Sequence, residues 1–116
     1  MNFEPPIQEL KDKLTEGPER VGFVLTTGEI VEVKNICVHS DNGFEVSGQD
    51  LIKYHDQVVA TWHTHPGKCS NLSTNDWYGF RNYPEWLHLI IGADGVSSFR
   101  VEKGRVLVDQ KWENAS

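Results

Sequence analysis

The sequence is short of several features that mark large classes of proteins. Its 116 residues include only two cysteines, Cys37 and Cys69, which are too few for a disulfide framework. It has no apolar run of about eighteen residues, so it predicts no transmembrane helix. Residues 1–6 contain neither a basic region nor an apolar core and do not resemble a signal peptide. We therefore expect a cytoplasmic protein with reduced thiols, and we place Cys37 in the core.

Positive charge is also scarce, because 11 Lys and Arg residues face 17 Asp and Glu residues, for a net charge of −6. The basic residues are scattered and form no stripe, so neither nucleic acid nor a membrane is an expected partner. The hydrophobic fraction of 38% is ordinary for a soluble protein. A chain of this length suits one domain over residues 1–116, with its core over about residues 5–110.

Hydrophobic periodicity predicts helices interleaved with strands. The expected helices cover residues 5–14, 48–56 and 74–82, and the expected strands cover residues 21–26, 29–34, 44–46, 57–64, 86–91, 97–102 and 105–109. Turns are expected at 27–28, 40–43, 93–95 and 103–104, and a loose tail from Trp112. Several connections have hairpin length, so the sequence predicts an α/β fold with a largely antiparallel sheet.

Residues 63–76 carry the strongest chemical pattern, His-Thr-His-Pro followed by Ser-Thr-Asn-Asp, with seven residues between His65 and Ser73. Side chains at i and i+2 of a strand point to one face, so His63 and His65 are expected to converge. Ser73 is expected to cap a helix, and Asp76 in its first turn can face back toward the histidines. Two imidazoles and a carboxylate suit a metal ion with an open position for water.

The same segment has simpler interpretations. Ser73 and Asp76 also fit a capping box that only stabilises the helix start. Cys69 is expected to be an ordinary loop residue, with a supplementary metal ligand or a redox-sensitive thiol as alternatives. His88 is expected to be a structural histidine with satisfied hydrogen bonds.

Hydrolysis by a metal-activated water also needs a proton acceptor, for which a carboxylate is the usual group. The candidates are Glu19, Glu29, Glu32 and Glu45. Glu19 is preferred because it lies at the junction between the first helix and an apolar strand. For each of the four, the alternative is a solvated surface residue.

Taken together, these segments resemble the JAMM (MPN-plus) family of zinc metallopeptidases. The resemblance rests on His63-Thr64-His65-Pro66, on Ser73-x-x-Asp76 after the seven-residue gap, and on the segment from Pro18 to Leu25, which looks like the one that carries the family's catalytic glutamate. It spans about residues 5–110. It implies a cytidine-deaminase-like fold in which helices flank a curved sheet.

The resemblance also implies a ligand set and a reaction. His63, His65 and Asp76 would bind one Zn²⁺ per chain, with water as the fourth ligand. Glu19 would act as the general base, and Ser73 would stabilise the oxyanion. The implied reaction is cleavage of a peptide or isopeptide bond by zinc-activated water.

Within that family the compact layout is most similar to bacterial and bacteriophage tail-assembly domains. The implied substrate is a tail protein or a cell-wall peptide, and the implied location is a host cytoplasm or a virion tail. Phage members often join an NlpC/P60 cell-wall hydrolase domain, which is not found in these 116 residues. The alternative is a non-catalytic zinc-binding module that binds a partner protein during tail or complex assembly. A deaminase-type zinc hydrolase is disfavoured, since its Cys-x-x-Cys motif is absent from the sequence.

Overall fold

The computed structural model of the protein describes residues 4–39 and 43–114. The helices are α1 (Ile7–Lys11), α2 (Gly48–Tyr54) and α3 (Thr74–Arg81), and the 3₁₀ turn His55–Gln57 follows α2. The strands are β1 (Val21–Leu25), β2 (Ile30–Val33), β3 (Val58–Thr64), β4 (Leu87–Gly92), β5 (Gly95–Glu102) and β6 (Arg105–Glu113). The expected turn at 40–43 lies outside the described residues except for Gly43, as does the end of the expected tail at 115–116.

The six strands form one sheet in the order β2-β1-β3-β4-β5-β6. Neighbouring strands pair antiparallel except for β3 and β4, which run parallel. The α/β class with flanking helices is therefore confirmed, whereas the prediction of a largely antiparallel sheet is wrong, because the sheet is mixed. The reason is α3, which carries the chain back along the sheet between β3 and β4 and so replaces a hairpin with a crossover.

Helices cover both faces of this sheet. Neighbouring residues of a strand point to opposite faces, and β4 shows this with Ile90 and Ile91 in different core clusters. Ile91 packs in the cluster that contains Leu10 of α1. Ile90 packs with Phe80 of α3, and α2 contributes Leu51 to a third cluster. The result is a three-layer arrangement, with α1 on one face of the sheet and α2 and α3 on the other.

Four local predictions are wrong. Residues 44–46 form a loop, in which the Glu45 amide donates to the Asn35 side chain and the Glu45 carbonyl accepts from the Ile36 amide. The first helix ends at Lys11. The tail is not loose at Trp112, since β6 continues to Glu113 in register with β5.

The fourth wrong prediction concerns Cys37, which is only half-buried and lies outside the strands rather than in the core.

Within residues 4–39 and 43–114, no helix is long and apolar enough to cross a membrane.

Candidate metal centre

Two histidines meet at the end of β3. His63 belongs to the strand and His65 follows it, and their Nε2 atoms lie 3.1 Å apart. Backbone bonds fix this end of the strand on both sides: Thr64 N–H donates to the Arg20 carbonyl at 2.9 Å, and His65 N–H donates to the Ile91 carbonyl at 2.8 Å. The predicted convergence of the two imidazoles is confirmed.

The loop after His65 sets the tautomer of its ring. His65 Nδ1 lies 3.1 Å from the Cys69 carbonyl oxygen, which can only accept, so Nδ1 carries the proton. In the neutral ring, Nε2 therefore presents a lone pair toward His63. The loop lies close against Gly92, where a Cβ would collide with the backbone of Cys69 and Ser70. The Cys69 backbone thus positions a candidate ligand, while its thiol is free and exposed.

Asp76 combines the two interpretations of the Ser-x-x-Asp pattern. Ser73 N–H donates to Asp76 Oδ2 at 2.9 Å, and Asp76 N–H donates to Ser73 Oγ at 3.2 Å, which completes a capping box. The same carboxylate lies 3.1 Å from each imidazole, through Oδ1 to His63 Nε2 and through Oδ2 to His65 Nε2. The cap therefore aims Asp76 at the histidines, and the two roles are compatible.

Glu19 joins this group from the segment before β1. One of its ligand atoms lies within 4.8 Å of those of His63 and His65, and the three side chains form a buried group that could hold a metal ion. Its Oε1 has no hydrogen-bond partner among the described residues. The three other candidate glutamates, Glu29, Glu32 and Glu45, are exposed. We refer to Glu19, His63, His65 and Asp76 as the metal centre.

Two neighbouring residues were missed by sequence reasoning. Asn35 donates from Nδ2 to the Glu19 carbonyl at 2.8 Å and accepts with Oδ1 from the Glu45 amide at 3.0 Å, so it ties Glu19 to the 43–46 loop. From that loop, the Phe44 ring lies 4.3 Å from the His63 ring, centroid to centroid. No local pattern could have found these residues, because their partners are distant in sequence.

Burial and mutual contact shift the pKa values of the metal centre. Burial raises the pKa of Glu19 to about 7, with partial opposition from His65. Burial lowers the pKa of His63, although Asp76 opposes this. Burial alone would raise the pKa of Asp76, but its hydrogen bonds to His63 and His65 outweigh that effect and lower it. Burial likewise opposes protonation of His65, yet the contact with Asp76 raises its pKa.

The donor set fits a tetrahedral divalent metal. Three contacts all measure 3.1 Å: between the two imidazole Nε2 atoms, from His63 Nε2 to Asp76 Oδ1, and from His65 Nε2 to Asp76 Oδ2. Ligand atoms of a tetrahedral zinc site with bonds of about 2.0–2.1 Å are about 3.3 Å apart. All four side chains are nearly inaccessible, with exposed fractions of 0% for His63, 4% for Asp76, 5% for Glu19 and 6% for His65. A cation among them would offset the burial of two carboxylates.

His88 is a buried histidine whose two ring nitrogens are both hydrogen-bonded within the protein. Its Nε2–H donates to the Tyr83 carbonyl at 2.9 Å, and its Nδ1 accepts from the Thr61 hydroxyl at 2.7 Å. Both ring nitrogens are satisfied, and burial lowers the pKa of His88 to about 4. The prediction of a structural histidine is confirmed.

Comparison of the chain with protein-family models found no match, and a search of curated proteins found none either. The resemblance to the JAMM family therefore stays a prediction, and the functional assignment rests on the residues of the metal centre and their geometry.

Proposed function

We propose that the protein is a zinc-dependent hydrolase of the JAMM type that cleaves a peptide or isopeptide bond. The observation that carries the proposal is the pairing of one carboxylate with two imidazoles at 3.1 Å each, beside a second buried carboxylate, one oxygen of which has no partner in the described part of the chain. A metal ligand set and a proton acceptor are the two components that metal-assisted hydrolysis requires.

The two carboxylates differ in ways that suggest different roles. Asp76 is locked by the capping box, contacts both imidazoles and has a lowered pKa, which suits a permanent anionic ligand. Glu19 has an oxygen without a partner among the described residues and a pKa of about 7, which suits a group that accepts and returns a proton near neutral pH. We therefore assign His63, His65 and Asp76 as zinc ligands and Glu19 as the general base. The competing assignment, with Glu19 as third ligand, is separated from this one by the Glu19→Gln variant described in the Discussion.

The chain's own residues then divide the chemistry. Bound zinc would lower the pKa of a coordinated water and polarise the substrate carbonyl. Glu19 takes a proton from the attacking water and delivers it to the leaving nitrogen as the C–N bond breaks. The Ser73 oxygen already accepts from the Asp76 amide, so its hydroxyl proton is available to the carbonyl oxygen of the substrate. Losing one such donor typically costs about 3 kcal/mol of transition-state stabilisation.

The test is zinc-dependent turnover. Protein purified without chelators is assayed against a panel of isopeptides, cell-wall peptides, tail proteins and unfolded proteins. We expect hydrolysis that a strong chelator abolishes and added zinc restores. Cell-wall peptides and tail proteins come first, since the proposal follows the similarity to compact bacterial and phage members.

One other result would redirect the proposal. Stoichiometric zinc without hydrolysis of any substrate in the panel would favour the alternative, a non-catalytic zinc-binding module that contacts a partner protein. Hydrolysis that persists unchanged in excess chelator would contradict both versions.

A further inference from the structure

A second feature lies beside the metal centre. A cavity of about 420 Å³ opens on the face of the sheet that α2 and α3 cover, within the size range of about 300–1,000 Å³ typical of ligand pockets. Phe44 and Phe80 line it, and their ring centroids lie 4.3 Å and 6.0 Å from that of His63. The cavity therefore adjoins the imidazole of a candidate zinc ligand.

The walls of the cavity are aromatic and hold one another in place. Tyr83 and Trp86 stack with centroids 5.0 Å apart and planes within 4°, and Phe23 meets Trp86 edge-on at 6.1 Å. Phe23 and Trp86 are buried, whereas Phe44 and Tyr83 are partly exposed. The cavity is therefore preformed, has aromatic walls and opens to the surface.

Two polar side chains of the lining are already hydrogen-bonded, and the other two, Asn82 and Glu45, are exposed. Thr61 and His88 line it, but the Thr61 hydroxyl bonds to His88, and His88 in turn bonds to the Tyr83 carbonyl. Among the described residues that line the cavity, the one carboxylate is Glu45, and it is exposed. Because Glu45 is exposed, a charged group that entered the buried part of the cavity would lose hydration without a charge partner among the described lining residues. An apolar occupant does not carry this desolvation cost.

We propose that this cavity is a specificity pocket for the side chain of the residue next to the scissile bond, and that it takes large apolar side chains, aromatic ones best. Aromatic rings gain from edge and stacked contacts with the rings already present. The role of the cavity in substrate selection rests on the proposed peptidase function. Binding to the cavity is measured separately.

Gly79 gives the means to fill the pocket without disturbing the metal centre. It lines the cavity from α3, and a Cβ added there meets no atom within 4 Å. Glycine inside a helix is unfavourable, so Gly79→Leu is expected to fold at least as well as the native chain. The matched control is Tyr78→Leu, on the same helix at a position that is 60% exposed and outside the lining.

The binding test uses amino-acid amides as probes. N-acetyl-phenylalanine amide is titrated into zinc-loaded protein while the backbone signals of Gly22 and Thr61, which line the cavity, are followed by NMR. We expect these signals to shift, the lysine and glycine amides to leave them in place, and Gly79→Leu to weaken the phenylalanine probe at least about ten-fold. Tyr78→Leu should bind like the native chain. Signals that do not move, or that move equally in Gly79→Leu, would overturn the pocket.

The catalytic test uses peptides that differ only in the residue beside the cleaved bond. We expect kcat/KM to favour phenylalanine over lysine or glycine by at least about ten-fold, and Gly79→Leu to remove most of that preference. Equal rates for all residues would refute the specificity role. If no peptide is cleaved, the hydrolase proposal fails, and the NMR titration still decides whether the cavity binds apolar side chains.

Discussion

Two clusters of charged or titratable side chains differ in burial and in how their charges are paired. The metal centre is buried and holds two imidazoles and two carboxylates close together. The surface cluster (Asp94, Arg100, Asp109 and Lys111) is partly exposed and pairs opposite charges, with Arg100 Nη1 3.1 Å from Asp109 and Lys111 Nζ 2.9 Å from Asp94. In exposed pairs of this kind each charge is balanced by its partner and by water, and each pair contributes only about 0–1 kcal/mol to the free energy of unfolding.

The comparison separates groups placed for stability from groups placed for chemistry. Each member of the surface cluster has a partner of opposite charge and contact with water. In the metal centre, Glu19 has an unpartnered oxygen and His63 an unpartnered Nδ1 among the described residues. Burial of such groups costs folding free energy that packing must offset. An arrangement of this kind is typical of a binding or catalytic site.

The largest expected effect comes from removing a proposed zinc ligand. His63→Ala or Asp76→Ala should reduce bound zinc from about one per chain to near zero and abolish hydrolysis, because each variant removes one of the three proposed protein ligands. Metal analysis after desalting measures this. Asp76→Ala also removes half of the capping box, so circular dichroism must show that the fold persists.

The surface cluster supplies the control for this prediction. Asp109→Ala also removes a carboxylate, but one that is paired with Arg100 and away from the metal centre. It should keep full zinc content and activity. Equal zinc loss in both kinds of variant would mean that the metal is bound elsewhere.

The next largest effect distinguishes base from ligand. Glu19→Gln should retain zinc and lose hydrolysis by about 10²–10⁴-fold, the usual contribution of a general base. Zinc content and kcat are measured on the same preparation. Glu32→Gln is the matched control, since Glu32 is an exposed glutamate paired with Arg20 at 2.6 Å. Loss of zinc in Glu19→Gln would make Glu19 a ligand, and undiminished turnover would assign the base elsewhere.

A third prediction concerns His88, the buried histidine that needs no metal. Above about pH 6.5 its ring is neutral in both states, so it adds no pH dependence. As pH falls from about 6.5 to the folded pKa of about 4, the unfolded chain binds a proton that the folded chain does not. His88 should therefore lower the free energy of unfolding by about 3 kcal/mol across that range, a contribution opposite in sign to that of Glu19, whose raised pKa favours the folded state as pH falls. Urea denaturation of the zinc-free native chain and of zinc-free His88→Gln at a series of pH values measures it as the difference between their slopes. Identical slopes would count against a neutral His88.

The smallest effect is expected in the surface cluster. Asp109→Ala breaks the pair with Arg100. Both side chains are partly exposed, with exposed fractions of 43% for Arg100 and 34% for Asp109. Solvent screening should limit the loss of folding free energy to at most about 1 kcal/mol. Chemical denaturation at low and high salt measures it. A loss of several kcal/mol would remove the contrast between the two clusters.

Local sequence patterns predicted much of the metal centre. The i, i+2 spacing placed His63 and His65 together, and the capping pattern placed Asp76 in the first turn of α3. Both follow from the backbone geometry of a few adjacent residues. The junction between helix and strand also singled out Glu19, although its approach to the histidines depends on β1 pairing with β3.

Features set by distant partners were not predictable in this way. The parallel pairing of β3 with β4 depends on where the chain returns after α3, and hairpin-length turns elsewhere gave no sign of it. Asn35 lies outside every predicted helix and strand, yet its side chain organises the loop that brings Phe44 to His63. The sequence predicts a loose tail from Trp112, since no local pattern reveals that its strand partner is Val96 of β5. In each case the contact is long-range, and single-sequence periodicity does not report it.

The most direct test of the central assignment is the position of zinc in a crystal of the protein. Anomalous scattering at the zinc edge should give one peak per chain, within about 2.0–2.2 Å of His63 Nε2, His65 Nε2 and an Asp76 oxygen. Glu19 should lie outside the coordination sphere. Absence of a peak at these residues, or a peak coordinated by Glu19 in place of Asp76, would contradict the account.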